Sequence, residues 1–74
     1  MVGTVVSTTP LPAVTRFYRA ARAYAMCQIT GTYVESLEDE YSAARDAVLK
    51  VHTVERVDRV EDLAYRRAMR DVRN

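Results

Sequence analysis

The sequence predicts an all-α fold: a small helical bundle with an irregular N-terminal arm, an αα-hairpin and a third helix, completed by self-association. Apolar residues recur every three or four positions over most of the chain, which is the period of one helix face. Only two glycines and two prolines interrupt this pattern. The chain has 74 residues, which is short for a hydrophobic core that must be stable without a partner.

Residues 1–11 are predicted to form the irregular arm, and residues 12–74 a single helical domain. Gly3 and the Ser-Thr-Thr-Pro run that begins at Ser7 disfavour regular structure in the arm. The arm lacks the basic segment of a signal peptide. The charge-free stretch 23–34 is too short and too polar to cross a bilayer. We therefore expect a small soluble protein of the cytoplasm, in a bacterial cell or an infected host, with no membrane partner.

The first helix is predicted over residues 12–30. Proline suits the first position of a helix, because it has no backbone N–H that would be left unpaired there. Pro12 is therefore predicted to occupy that position. Gly31 follows the last helical residue and can adopt the left-handed conformation that ends many helices. At about 100° per residue, one face carries the residues that we expect to pack inward. They are Val14, Phe17, Ala20, Ala21, Tyr24, Ala25 and Gln28.

The second helix is predicted over residues 33–51. Thr32, followed three residues later by Glu35, matches a capping box, and acidic residues in the first turns favour the positive end of the helix dipole. The joint of one or two residues makes the first two helices an αα-hairpin. The expected apolar stripe of this helix comprises Val34, Leu37, Tyr41, Ala44, Val48 and Val51.

The third helix is predicted over residues 54–72, with Val57, Val60, Ala64, Ala68 and Val72 as its apolar face. Projected on one continuous helix, this face is displaced by roughly 140° from the stripe of the second helix. Either the helix breaks near His52 and Thr53, which gives a three-helix bundle, or one long helix buries two faces in a swapped or tetrameric assembly. Thr53 can cap a new helix, so the break is favoured.

Self-association is expected because the isolated chain has few other ways to become stable. Only about 60% of the surface of so short a chain is buried on folding. One cysteine cannot form an internal disulfide and one histidine cannot build a zinc site, so we expect no metal and no cofactor. We expect a homodimer or a larger oligomer. Its core and interface are predicted at Val14, Phe17, Tyr24, Leu37, Tyr41, Val48, Val57 and Val60.

Charge is ordered along the chain, although the net charge is only +1. Residues 1–34 carry three arginines and no acid (+3), residues 35–63 four bases and nine acids (−5), and residues 64–74 four bases and one acid (+3). This order suits complementary packing between helices or between chains. Arginine outnumbers lysine ten to one. Phosphate or carboxylate clamping would explain that ratio, but a source with a GC-rich genome, a bacterium or its bacteriophage, explains it more simply.

Two residue sets are candidate chemical sites. Cys27 and His52 are the only candidates for a thiol–imidazole pair, but an antiparallel hairpin places them near opposite ends. The acidic group Glu35, Glu38 and Asp39 could bind a divalent cation, although an acidic first helical turn explains it better. We therefore predict a protein that is not an enzyme.

The predicted function is that of a small adaptor or regulator that self-associates and binds a protein partner. The alternative is a nucleic-acid-binding regulator. A helix-turn-helix with the second helix as recognition helix fails, since that helix opens with acidic residues that would meet phosphates of like charge. The arginines of the last helix remain as possible nucleic-acid contacts. They are Arg66, Arg67, Arg70 and Arg73, to which Arg16, Arg19 and Arg22 of the first helix could be added.

Overall fold

The computed structural model describes residues 12–73, and these residues form three α-helices with no strand among them. Helix α1 spans Ala13–Thr30, α2 spans Glu35–Leu49 and α3 spans Val54–Arg73. The all-α prediction is thus confirmed. The predicted arm, residues 1–11, lies outside the described residues.

Contacts between the helices fix their directions. Arg67 and Asp71 of α3 bond to Tyr18 and Arg22 of α1, so residue numbers rise together and the two helices run parallel. Between α2 and α3 the contacts run the opposite way, from Tyr41 to Glu61 and from Arg45 to Asp58. The chain therefore forms an up-down-up bundle. Helix α1 packs against both neighbours, and α2 and α3 contact each other least.

The large buried side chains are few, and each helix supplies one. Phe17, Val48 and Val57 are almost completely buried and belong to one cluster. Alanines make up the rest of the buried set. Their small side chains let helix backbones approach closely, which is how a short chain closes a core with so little bulk. The buried alanines are Ala20, Ala21, Ala25, Ala44, Ala64 and Ala68.

Other predicted core residues are placed at the edge of this cluster. Val14, Tyr41 and Val60 are partly buried against it. Tyr24 and Leu37 are half-buried. Gln28, at the end of the predicted inward face of α1, is exposed.

Helix α1 ends as predicted, and this ending overturns the predicted capping box. Gly31 is left-handed, with φ 77°, and its N–H donates to the carbonyl of Cys27. The next N–H, that of Thr32, also donates to Cys27 O at 3.0 Å. A capping box needs this N–H for the Glu35 carboxylate. Because it is already engaged, Thr32 closes α1 instead of opening α2, and Val34 is the N-cap of α2 without a side-chain hydrogen bond.

Helix α2 is consequently shorter than predicted. It begins at Glu35 and ends at Leu49, whereas the sequence predicted residues 33–51. The two ends of the predicted apolar stripe therefore lie outside the helix. Val34 is 36% exposed and Val51 is 66% exposed, so their assignment to the buried stripe was wrong.

The break between α2 and α3 lies at the predicted place. The N–H groups of Val51 and His52 both donate to Val48 O, which closes α2. Thr53 then opens α3, because its Oγ1 accepts from the N–H of Arg56 at 3.3 Å and its carbonyl accepts from Val57 N. The break rotates the apolar face of α3 back toward α1. The alternative of one long helix through residues 33–72 was wrong for this structure.

The two threonines allow a matched test of these helix starts. Thr53→Ala should lower the free energy of unfolding by about 1 kcal/mol, because it removes a helix cap. Thr32→Ala should change it by less than about 0.5 kcal/mol, since the Thr32 side chain caps no helix. Urea unfolding followed by circular dichroism measures both. An equal or larger loss for Thr32→Ala would contradict the assignment.

Candidate functional site

Helix α3 carries all its arginines on one side. At 3.6 residues per turn, they fall within an arc of about 120° that is turned away from the buried residues Val57, Ala64 and Ala68. Every one of them is exposed. This arginine face comprises Arg56, Arg59, Arg66, Arg67, Arg70 and Arg73.

The arginine face lies beside α1. Arg67 lies over the ring of Tyr18, 5.7 Å from its centroid, and donates to the Tyr18 hydroxyl at 3.1 Å. One turn further along, Arg22 is ion-paired with Asp71. Helix α1 contains no acidic residue, so the basic first and last blocks of the sequence meet along this side. Of the arginines of α1 that the sequence added to this set, Arg22 contacts α3 through Asp71, whereas Arg16 pairs with Glu40 of α2.

Most acidic side chains of residues 12–73 lie on the other side of the bundle, whereas Glu55, Asp62 and Asp71 of α3 lie within or beside the arginine face. Asp58 and Glu61 of α3 point toward α2, where they contact Arg45 and Tyr41. Helix α2 itself is acidic. The bundle therefore has a basic α1–α3 side and an acidic α2 side. The acidic residues of α2 are Glu35, Glu38, Asp39, Glu40 and Asp46.

Some arginines are already engaged within the chain. Arg16 pairs with Glu40 at 2.8 Å, and Arg66 pairs with Asp62 one turn before it, also at 2.8 Å. These pairs are largely exposed, and such pairs contribute only about 0–1 kcal/mol each. Within residues 12–73, several arginines have no acidic group within 4.0 Å and remain able to bind a partner's anion. They are Arg19, Arg56, Arg59, Arg70 and Arg73, together with Arg67, whose partner is the Tyr18 hydroxyl.

A separate cleft of about 310 Å³ lies where α1 turns into α2. Its polar centre is the carboxylate of Glu38. The Tyr24 hydroxyl donates to Glu38 Oε2 at 3.1 Å, and the Tyr33 hydroxyl donates to Oε1 at 2.9 Å. These hydrogen bonds raise the pKa of both tyrosines, because ionisation would place a phenolate beside the carboxylate. The remaining lining residues are Cys27, Gln28, Gly31 and Thr32.

Tyr41 connects this cleft to the core. Its ring stacks on Tyr24 with centroids 5.0 Å apart and meets Phe17 at 5.8 Å. Its hydroxyl donates to Glu61 of α3. Burial, followed by this hydrogen bond, raises the pKa of Tyr41 to about 12. Tyr18, Tyr24, Tyr33 and Tyr41 thus all have partners inside the chain, which explains most of the tyrosine content without an interface.

The candidate catalytic pair is not assembled. Cys27 is half-buried in the last turns of α1 and lines the cleft. His52 lies in the turn between α2 and α3, which the Val48–Phe17–Val57 cluster places at the N-terminal end of α1. Residues 12–73 contain no group of three or more His, Cys, Asp or Glu side chains arranged to hold a metal. None of the three helices is long and apolar enough to span a membrane.

Comparison with protein-family models, with curated proteins and with solved structures found no match to this chain. The site must therefore be judged from its own geometry. Sequence reasoning did not single out Arg56 and Arg59, although their helical phase shows that they share the arginine face. It also did not predict the cleft, because the joint was expected to be shorter and Thr32 was assigned to α2.

The environment of Tyr41 predicts a specific loss of stability at alkaline pH. The folded-state pKa is raised from 10.0 to about 12, so the neutral phenol stabilises the fold fully below pH 10. This contribution disappears as pH rises through 12. The Tyr41→Phe variant keeps the ring and lacks the ionisable group. Between pH 10 and pH 12, the melting temperature of the wild type should fall more steeply with pH than that of Tyr41→Phe. Equal falls in melting temperature would contradict the assignment.

Proposed function

We propose that this chain is a non-enzymatic helical module that self-associates and binds a protein partner as a small adaptor or regulator. One observation carries the proposal: α3 presents two different exposed surfaces on opposite sides. The arginine face lies on the α1 side. On the α2 side, Val54, Tyr65 and Val72 form an apolar strip along one line of the helix and are 54%, 44% and 38% exposed, with the acidic residues Asp58 and Glu61 between Val54 and Tyr65.

The apolar strip supports self-association. Its three residues lie within about 20° of one another on the helix, next to the buried set. Helix α2 covers this edge poorly, since α2 and α3 contact each other least. A second copy that packed here would remove apolar surface from water, which is the main favourable term in protein association. The strip is therefore the proposed dimer surface.

The arginine face supports binding of an acidic partner. Guanidinium groups form bidentate hydrogen bonds with carboxylates, and arginine is enriched at protein interfaces. Arg59 and Arg70 lie three turns apart on this face and have no acidic partner within residues 12–73. A protein with an acidic surface is thus the proposed partner. The separation of Cys27 from His52 supports a role without catalysis.

The setting proposed from composition is the cytoplasm of a high-GC bacterium, or of such a cell infected by a bacteriophage that encodes the chain. Ten arginines against one lysine support this source. A regulator or adaptor of this size needs no catalytic site. Its specificity would lie in the arrangement of charges on α3.

The second candidate function, nucleic-acid binding, is favoured by the same arginine face. From Arg56 to Arg73 this face extends along about 25 Å of helix, long enough to meet several phosphates of a duplex. The absence of acids on α1 makes the neighbouring surface compatible with phosphate. The net charge of +1 and the acidic α2 side argue against it. Salt dependence separates the two functions.

Self-association predicts a dimer or larger species in sedimentation equilibrium at high micromolar concentration. Tyr65→Glu should shift the protein to monomer, because it places a charge within the apolar strip. Leu63→Glu is the matched control: Leu63 is 38% exposed but lies among the arginines. It should leave the assembly unchanged. A monomeric wild type, or equal effects of the two variants, would contradict the dimer surface.

Partner binding predicts a difference between two charge reversals of equal size. Arg70→Glu lies on the arginine face, and Lys50→Glu lies in the turn after α2. In affinity capture from the source cell, wild type and Lys50→Glu should retain the same protein, and Arg70→Glu should lose it. Duplex DNA binding that weakens steeply with salt and falls in an Arg66→Ala, Arg70→Ala double variant would instead establish the nucleic-acid function.

A further inference from the structure

The cleft between α1 and α2 differs in charge from the arginine face of α3. It is lined by two tyrosines and one carboxylate, and none of its lining residues is basic. The chain from Ala23 to Val34 carries no charged side chain. Arg22, the last base before this stretch, is ion-paired with Asp71. Within residues 12–73, no basic side chain lies within 4.0 Å of the Glu38 carboxylate, so no ion pair there offsets a negative charge in the cleft.

The two rings are held in place by different parts of the fold. Tyr24 stacks on Tyr41, and its hydroxyl is fixed by Glu38. Tyr33 follows the left-handed Gly31, and its hydroxyl is fixed by the other oxygen of Glu38. Both rings are thus tied to one carboxylate before any ligand arrives. This preorganisation lowers the ordering cost of binding.

We infer that this cleft binds a quaternary ammonium group, held by the Tyr24 and Tyr33 rings and by the charge of Glu38. Aromatic rings attract cations through their negative faces, and this attraction suits methylated ammonium groups in particular. Each carboxylate oxygen already accepts a phenol hydrogen bond, so the ligand need not donate one. An anion would be repelled by Glu38. A hard metal ion would find one carboxylate where it needs several oxygen ligands.

Two sources could supply this chemistry: a free quaternary amine, or a trimethylated lysine side chain of another protein. The site is independent of the arginine face and of the apolar strip on α3. Its binding can therefore be tested whether or not the proposed adaptor function holds.

Choline and its uncharged isostere, in which carbon replaces nitrogen, are the direct probes. Titration of the full chain by NMR should give saturable shifts of the Tyr24 and Tyr33 ring signals with choline. The isostere has the same shape, so the difference reports the charge, and it should bind roughly fivefold more weakly or worse. Equal affinities, or no saturable shift with choline, would overturn the inference.

Variants test the named residues. Glu38→Gln keeps a hydrogen-bond acceptor and removes the charge, so it should weaken choline binding roughly fivefold. The matched control is Glu35→Gln, on the exposed first turn of α2, which should leave choline binding unchanged. Tyr33→Leu removes one ring and should weaken binding, while Tyr33→Phe should retain most of it. Tyr33 is 64% exposed, so these variants should still fold. Unchanged binding in Glu38→Gln would overturn the inference.

A peptide with trimethyl-lysine, compared with the same peptide carrying unmodified lysine, distinguishes the two sources. Tighter binding of the trimethylated peptide than of choline assigns the site to a protein side chain. If the trimethylated peptide binds no more tightly than choline, the site is assigned to a free quaternary amine. Tighter binding of the unmodified peptide would contradict the preference for a quaternary group.

Discussion

The close packing of α1 against α3 is the constraint on which the other features depend. Alanines at the buried positions of both helices, among them Ala21, Ala64 and Ala68, leave room for the backbones to approach. The parallel direction of the two helices aligns Tyr18 with Arg67 and Arg22 with Asp71. This alignment brings the basic ends of the sequence to one side. It also leaves α2 in looser contact with α3, which exposes the apolar strip.

The electrostatic pattern has a different role from the one that charge order alone suggests. The order of basic, acidic and basic segments predicts contacts between oppositely charged segments. Three ion pairs join the helices, but only Arg16–Glu40 links two such segments, since Arg22–Asp71 joins the two basic segments and Arg45–Asp58 lies within the acidic one. These pairs are partly or largely exposed, so they contribute little to stability and mainly set the alignment of the helices. The larger consequence is that the α3 arginines without an acidic partner within residues 12–73 are concentrated on the side turned away from α2. A nearly neutral chain thereby acquires two sides of opposite sign.

Much of the fold could be predicted from the sequence because it depends on local signals. The period of apolar residues, the Gly31 cap and the break at Thr53 all act within a few residues, and the structure confirms them. The start of α2 could not be predicted in the same way. Thr32 matches a capping box, but whether its N–H is free depends on how α1 ends. The capping box of α2 and the C-terminal cap of α1 both require the N–H of Thr32, and in the structure this N–H donates to Cys27 O at the end of α1.

The candidate sites required the packing of the helices. The phase of α3 places its arginines on one face, but only the contact with α1 shows that this face adjoins a helix without acids. The cleft is less predictable still. It depends on the linker of residues 32–34 after Gly31, which places Tyr33 against Glu38 while Tyr24 approaches from α1. Tyr24 and Glu38, which are 14 residues apart in the sequence, contact each other there, and no sequence motif predicts this contact.

The most direct test of this account is whether the contact between Tyr18 and Arg67 forms within one chain in solution. An isotope-filtered NOE experiment on a mixture of labelled and unlabelled protein separates contacts within a chain from contacts between chains. The three-helix bundle predicts an NOE between the Tyr18 ring and the Arg67 side chain within the same molecule, together with a helix break at Thr53. An NOE observed only between different copies would show that α2 and α3 form one long, swapped helix, and it would contradict the three-helix bundle.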